Sequence, residues 1–270
     1  LSRARLGIVG VGEVGGRIER LWRALGGEPL LCDPPRAERE GQAGFVSLDE
    51  LLANCELLTL HVPLAPAGPH PTRHLIDAAR LARLPEGAWL MNASRGEVVD
   101  GAALQDALAS GRLGGAILDV FEGEPAPSPS LIDRCALATP HIAGHSLDGK
   151  VAGTRMIYRA ACRFLGVAPT WQPSLPEAPP LTIETSGRTD RAILLDAVRF
   201  GYPIADDDAA LRQLVALPEA ERALAFQRFR AGYRPRRELG AGPLFLRPER
   251  PELERVLRAL EASVGENKNR

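Results

Sequence analysis

The sequence predicts an α/β protein: a doubly wound parallel sheet followed by a smaller α+β domain. Three observations carry this. Short apolar runs of strand length, LGIV, PLLCD, LLTLHV, GAWLMNAS, GGAILDV and CALATP, alternate with helical patterns such as SLDELLAN and DGAALQDALASG. That rhythm belongs to a sheet whose parallel strands are joined by helical crossovers. The first run leads straight into a glycine-rich turn, and much later the stretch GVAPTWQPSLPEAPP, with five prolines and little periodicity, separates a second region, as linkers between domains do.

Taken in order, Leu6 to Val9 form the first strand, and Val14, Ile18, Leu21 and Leu25 then share one helical face until Gly26-Gly27 stops it. PLLCD resumes as a strand, and the alternation continues to about residue 145. A helix is predicted over residues 148–164, leading into the proline-rich linker. Beyond the linker lie a strand in LTIET, helices in TDRAILLDAVRF, DDAALRQLVAL and EAERALAFQRFRAGY, a strand in GPLFLRP and a closing helix in PELERVLRALEASV. The predicted division is therefore a first domain over 1–147, a connecting helix and linker over 148–168, and a C-terminal domain over 169–270.

Composition narrows the partners. The 33 basic and 34 acidic residues give a formal net charge of −1 with no basic block, so nucleic-acid binding is not expected. No apolar run reaches membrane-spanning length and no secretory leader pattern opens the chain, so neither a membrane nor an export role is expected. Cys32, Cys55, Cys135 and Cys162 are scattered and form no CxxC pair, which suits a reducing, cytoplasmic setting.

Gly10-Val11-Gly12-Glu13-Val14-Gly15 is a GxGxxG motif that follows a strand, opens a helix and is trailed 18 residues after Gly15 by Asp33 at the end of the next strand. In that context it is a dinucleotide-binding fingerprint of the Rossmann type. Gly10 permits the tight turn, Gly12 lets backbone approach a pyrophosphate, and Gly15 lets the helix pack on the strand. Asp33 suits the ribose hydroxyls of NAD and repels the extra phosphate of NADP, although Arg36 nearby could offset that repulsion.

Three further residues follow strand ends. Arg95 lies in MNASRGEVVD, Glu124 in DVFEGEP and His141 in ATPHIAGH, and ligands of open α/β sheets bind outside the carboxyl ends of strands. An arginine there offers a rigid fork to a carboxylate, and a histidine with a carboxylate neighbour is a competent proton shuttle near neutral pH. No metal site is expected: Pro71 within the His70/His74 spacing and Pro140 just ahead of His141/His145 argue against uninterrupted helices, and no HExxH occurs. Asp206, Asp207 and Asp208 read as charge complementarity at a helix start. No GxSxG elbow supports nucleophilic catalysis.

Through GVGEVG, Asp33, HVPL, NASRGEVVD, LDVFEGEP and TPHIAG, residues 5 to about 165 resemble the D-isomer-specific 2-hydroxyacid dehydrogenases. CDPPR, HPTRHLID, TPHIAGHSLDGKVAGT and RPRRE extend the resemblance over nearly the whole chain, to a branch with an added C-terminal domain. The resemblance implies a catalytic trio of Arg95, Glu124 and His141. In it His141 passes the proton, Arg95 grips the substrate carboxylate and carbonyl oxygen, and Glu124 orients and charges His141. It implies NAD contacts at Gly10, Gly12, Glu13, Val14, Gly15, Asp33, Val62, Ala93, Ser94, Arg95, Asp119 and Gly144, and substrate contacts at Arg95, His141 and His145. Val62 stands where a threonine is expected and His145 where the family usually has tyrosine.

The implied substrate is a small phosphorylated 2-hydroxy acid, and the implied assembly is a homodimer through the C-terminal domain. In this family the substrate domain is built mainly from about a hundred residues ahead of the cofactor strand, so a chain opening on that strand is expected to lack most of it and to turn over poorly. Three alternatives stay open from sequence: a phosphoglycerate or hydroxypyruvate reductase on the same scaffold, a non-catalytic NAD-sensing protein, and a decayed or regulatory fragment that dimerises with a full-length paralogue.

Overall fold

The computed structural model describes residues 4–265, and these divide into two compact units. The first runs through Ile142 and also takes Ala205–Gly232; the second holds Ala143–Ile204 and the chain from Tyr233 onward. In the first unit β1 (Leu6–Val9), β2 (Leu30–Cys32), β3 (Leu57–Leu60), β4 (Ala88–Asn92), β5 (Leu113–Leu118) and β6 (Leu137–Ala138) alternate with helices. These helices are α1 (Glu13–Ala24), α2 (Pro34–Glu40), α3 (Leu48–Asn54), α4 (Ala78–Leu81), α5 (Gly101–Ala109) and α6 (Pro129–Arg134). The six strands form one sheet of order β2-β1-β3-β4-β5-β6, parallel throughout. All six sequence-predicted strands are present.

Strands covered on both faces read as continuous apolar runs, and β1 is buried at every position. The register matters most for function. Val9 pairs with Leu60, Leu60 with Asn92, Asn92 with Leu118 and Leu118 with Ala138, so the segments that follow five strands emerge side by side along one carboxyl edge. Strand order reverses between β1 and β3, and such a switch point opens the crevice in which ligands of doubly wound sheets bind.

The chain continues with α7 (Leu147–Leu165), β7 (Leu181–Glu184), α8 (Asp190–Gly201), α9 (Ile204–Val215), α10 (Glu219–Ala231), β8 (Pro243–Arg247), α11 (Pro251–Ala259) and β9 (Ser263–Val264). In the second unit β7, β8 and β9 make a small parallel sheet in that order. Here α7 starts under a Ser146 cap and stops at Gly166 in the left-handed conformation, the usual way for a helix to end. The closing helix is shorter than its apolar pattern suggests: α11 ends at Ala259, and Ser263–Val264 turn into an edge strand paired with β8.

The compact units cut across the boundary at residue 169. Residues 205–232 group with the sheet-bearing unit because they complete its core: Leu211, Val215 and Phe226 are buried in the same cluster as β3, β4 and β5. Polar anchors accompany the apolar ones. Arg212 donates to the carbonyls of Ile132 and Cys135, and the Ala138 N–H donates to Asp208. Asp206 and Asp207 do sit in the first turn of α9, as predicted for a helix start, but Asp208 holds β6.

Candidate active site

Helices α2 through α8 each begin under a Ser, Thr or Asp side chain that accepts a backbone N–H. By contrast, α1 begins at Gly12, with no side-chain cap. Its first-turn N–H groups are thus left to whatever anion approaches. Each glycine of the motif is required for a different reason. Gly10 has φ +86°, and a Cβ there would lie 2.7 Å from the His61 carbonyl oxygen; a Cβ on Gly15 would fall 2.0 Å from the Gly10 oxygen; at Gly12 there is no atom within 4 Å of where a Cβ would project. Open space above an uncapped helix end is the cradle that a pyrophosphate needs.

Asp33 ties this loop to the next helix. Its Oδ2 accepts the Val11 N–H at 2.7 Å and its Oδ1 accepts the Arg36 N–H at 3.0 Å, so one carboxylate both shapes the glycine turn and caps α2. The Arg36 guanidinium donates to the Val11 carbonyl at 2.8 Å and to Glu40 at 2.6 Å. Gly12, Asp33, Arg36 and Arg39 line a cleft of about 520 Å3 beside the turn. Residues present therefore fit a dinucleotide: turn, helix end and ribose-side carboxylate stand in the required order. Val62 lies against the turn, its methyl 2.8 Å from the position of a Gly10 Cβ.

After β4, Asn92 stitches the turn that presents Arg95. Its Oδ1 accepts from both the backbone N–H and the hydroxyl of Ser94, and its amide donates to the Arg95 carbonyl at 2.9 Å. The Arg95 side chain is exposed, with one donor on the Ser94 carbonyl at 2.6 Å. Gly96 decides what lies beside it: a Cβ there would come within 2.0 Å of the Phe121 carbonyl carbon and 2.4 Å of the Glu122 nitrogen. Only glycine lets the Arg95 turn seat directly on the loop that carries Glu124.

In that loop the Glu124 Oε1 accepts the Phe121 N–H at 2.8 Å, and its Oε2 meets His141 Nδ1 at 2.7 Å. The histidine side chain remains 31% exposed against 19% for the glutamate, and Nδ1 is the ring nitrogen engaged. His141 has φ +56°, a left-handed conformation that costs a non-glycine residue about 1–2 kcal/mol and that persists only where neighbours over-determine it. Asp119 supplies part of that constraint: its carbonyl accepts the His141 N–H at 2.7 Å, and its Oδ1 accepts the Ile142 N–H at 2.8 Å and the Thr139 hydroxyl at 2.6 Å.

Gly144 and His145 belong to the second unit. Gly144 is exposed, with open space where a Cβ would be, and the His145 ring meets Tyr233 edge to face at 6.0 Å. Arg95, Glu124, His141, Asp119 and the glycine turn all follow strands of one carboxyl edge.

Sequence reasoning missed three features here. A second histidine–carboxylate pair joins His74 Nε2 to Glu122 Oε1 at 2.7 Å, while the other Glu122 oxygen accepts the Gly101 N–H at 3.1 Å. Burial works to raise the Glu122 pKa, but the hydrogen bonds from His74 and Gly101 outweigh it and hold the carboxylate below its ordinary range. His61, at the end of β3, is pushed down to about 4 by burial and shares a 2.9 Å hydrogen bond with the Thr59 hydroxyl. Gly96 is the third. HPTRHLID and LTLHV held the first two, but pairing across 48 positions is invisible to local spacing. Among the described residues no group of three His, Cys, Asp or Glu side chains could hold a metal ion; His70 instead contacts Glu38.

A glycine-turned dinucleotide cleft beside an arginine and a glutamate–histidine pair defines the class of a nicotinamide-dependent dehydrogenase. Residues 1–143 match the family model described as D-isomer specific 2-hydroxyacid dehydrogenase, NAD binding domain, and the chain belongs to that family. Residues 174–260 match a domain of unknown function (DUF3410). The chain is 46% identical over 267 residues to an erythronate-4-phosphate dehydrogenase of Pseudomonas putida (strain W619), covering 98% of this chain and 70% of the relative. It is 48% identical over 249 residues to the protein of that name from Salinibacter ruber, covering 88% and 64%. Among solved structures it is similar to a D-lactate dehydrogenase from Aquifex aeolicus complexed with NAD and lactic acid, with TM-score 0.51 and 30% identity over 61% of this chain and 54% of that one.

Proposed function

We propose that the chain carries the NAD-dependent oxidation of 4-phospho-D-erythronate to 2-oxo-3-hydroxy-4-phosphobutanoate, a step toward pyridoxal phosphate. The observation that carries the chemistry is the 2.7 Å contact of Glu124 with His141 Nδ1, which leaves Nε2 to act as general base. In the oxidation Nε2 takes the C2 hydroxyl proton while the C2 hydrogen leaves as hydride, so the alcohol loses two electrons and becomes a ketone. NAD, held by the glycine turn and Asp33, would supply the acceptor for that hydride. Glu124 stabilises the imidazolium that forms, and the Arg95 guanidinium clamps the substrate carboxylate and steadies the oxygen at C2. Gly10, Gly12, Glu13, Val14 and Gly15 with Asp33 would hold the dinucleotide, and Val62, Ala93, Ser94 and Asp119 would complete its site.

The specific substrate rests on the names of the relatives above and on their match to the C-terminal region as well as the cofactor domain. Homodimerisation through that region is part of the same reading: α8 leaves Leu195, Val198 and Phe200 exposed by 42%, 48% and 48%, apolar surface that a second copy would cover. A strictly monomeric species in light scattering at micromolar concentration would overturn it.

The deciding assay follows NADH absorbance after 4-phosphoerythronate and NAD are added to this chain and to a version extended by whatever the gene encodes upstream. NADH growth with 4-phosphoerythronate in preference to 3-phosphoglycerate and glycerate supports the proposal. Preference for either of the latter moves it to the phosphoglycerate or hydroxypyruvate class. NADH binding without turnover in both forms points to a sensing role.

A further inference from the structure

The region that completes the first unit does more than fill its core. Along α9 and α10, three side chains hold the segment that delivers His141. Arg212 donates to the Ile132 and Cys135 carbonyls at 3.0 Å each, Asp208 accepts the Ala138 N–H at 2.7 Å, and Arg230 Nε donates to the His141 carbonyl itself at 3.1 Å. Asp208, Arg212 and Arg230 lie outside the matched NAD-binding domain, in the stretch that matches the domain of unknown function.

His141 is where such a grip counts. Its backbone is left-handed at φ +56°, and in that conformation its imidazole meets Glu124 at 2.7 Å. On the N-terminal side of the residue the Asp119 carbonyl accepts the His141 N–H, and on the C-terminal side Asp119 Oδ1 accepts the Ile142 N–H. The carbonyl between them is gripped by a guanidinium, a charge-assisted bond and so among the stronger kind. We propose that Arg230 is a positioning residue for the dehydrogenase: through the His141 carbonyl it locks the left-handed peptide that aims the imidazole at Glu124. The inference rests on the reading of His141 as the general base.

The test uses the full chain with 15N-labelled histidine. Its five histidines give resolvable imidazole signals, and that of His141 is identified by its loss in H141Q. In R230Q the His141 ring signals shift and the low-field Nδ1–H signal of the Glu124 hydrogen bond weakens or disappears, while His61 signals, the unfolding midpoint and the Kd for NADH stay unchanged. R230K, which keeps a cationic donor, restores the His141 spectrum. In a turnover-competent form R230Q loses about tenfold in kcat with little change in KM, and R230K recovers most of it. If R230Q lowers the unfolding midpoint, R230M keeps the packed aliphatic stem, lacks the donor and reads the same hydrogen bond.

Unchanged His141 signals in the donor-free variants overturn the inference, as does a shift matched by equal shifts at His61, which would mean general loosening. Absence of turnover in both the unsubstituted chain and its upstream-extended form sinks the dehydrogenase reading instead, and the imidazole spectra still decide whether Arg230 positions His141.

Discussion

Glu124 and His141 show how much depends on one contact. Replacing Glu124 by Gln keeps an acceptor for Nδ1–H but removes the charge that stabilises an imidazolium, so E124Q is expected to lose roughly 100-fold in kcat. Its Kd for NADH, measured by fluorescence titration, should be unchanged, because the glutamate faces the histidine and the Phe121 N–H. His61 makes a second prediction, in stability. Its folded-state pKa is depressed to about 4 by burial, below the ordinary histidine value, so the unfolded chain binds the extra proton first. The favourable contribution is complete above about pH 6.5 and is lost progressively as pH falls from there toward 4. Urea unfolding at pH 7 and pH 5 should differ by roughly 1–2 kcal/mol more in the parent chain than in His61→Gln.

Elements meet through glycines whose need is steric. Gly96 places the short turn after β4 against the backbone of Phe121 and Glu122 at distances that no side chain can share. Gly96→Ala is therefore expected to push the Arg95 turn off the Glu124 loop and to destabilise the fold by roughly 2–3 kcal/mol, the scale of overpacking in a tight site. Chemical denaturation reads the stability, and Kd values for a 2-hydroxy acid against NADH separate the damaged Arg95 side from the intact glycine turn. The uncapped start of α1 beside seven side-chain-capped helices illustrates the complementary device: donors that a Ser, Thr or Asp side chain satisfies at α2 to α8 are left for the ligand at α1.

At the scale of the molecule, the helices of residues 205–232 join a unit that the chain had left 62 residues earlier, at Ile142. Phe226 is 2% exposed within the main core cluster, so Phe226→Ala should cost about 3–5 kcal/mol. Because the cavity opens in the sheet-bearing unit, differential hydrogen exchange should rise along β3 to β5 and leave β7 and β8 unaffected. Loss of protection confined to the second unit would refute this division.

The sequence by itself determined the alternation of strand and helix, the GxGxxG turn with its Asp33, and the placement of Arg95, Glu124 and His141 after strands. Each is local: apolar runs, turn glycines and strand-end positions are properties of a few consecutive residues, and parallel pairing then brings the strand ends level. Only the tertiary structure decided what depends on contacts between distant positions. The His74–Glu122 pair, the steric demand on Gly96, the burial that depresses His61, and the Arg230 hydrogen bond to His141 all join residues that spacing cannot relate. The assignment of α9 and α10 to the first unit has the same cause. An amphipathic helix declares that it needs an apolar partner, and its own sequence is silent on which surface supplies one.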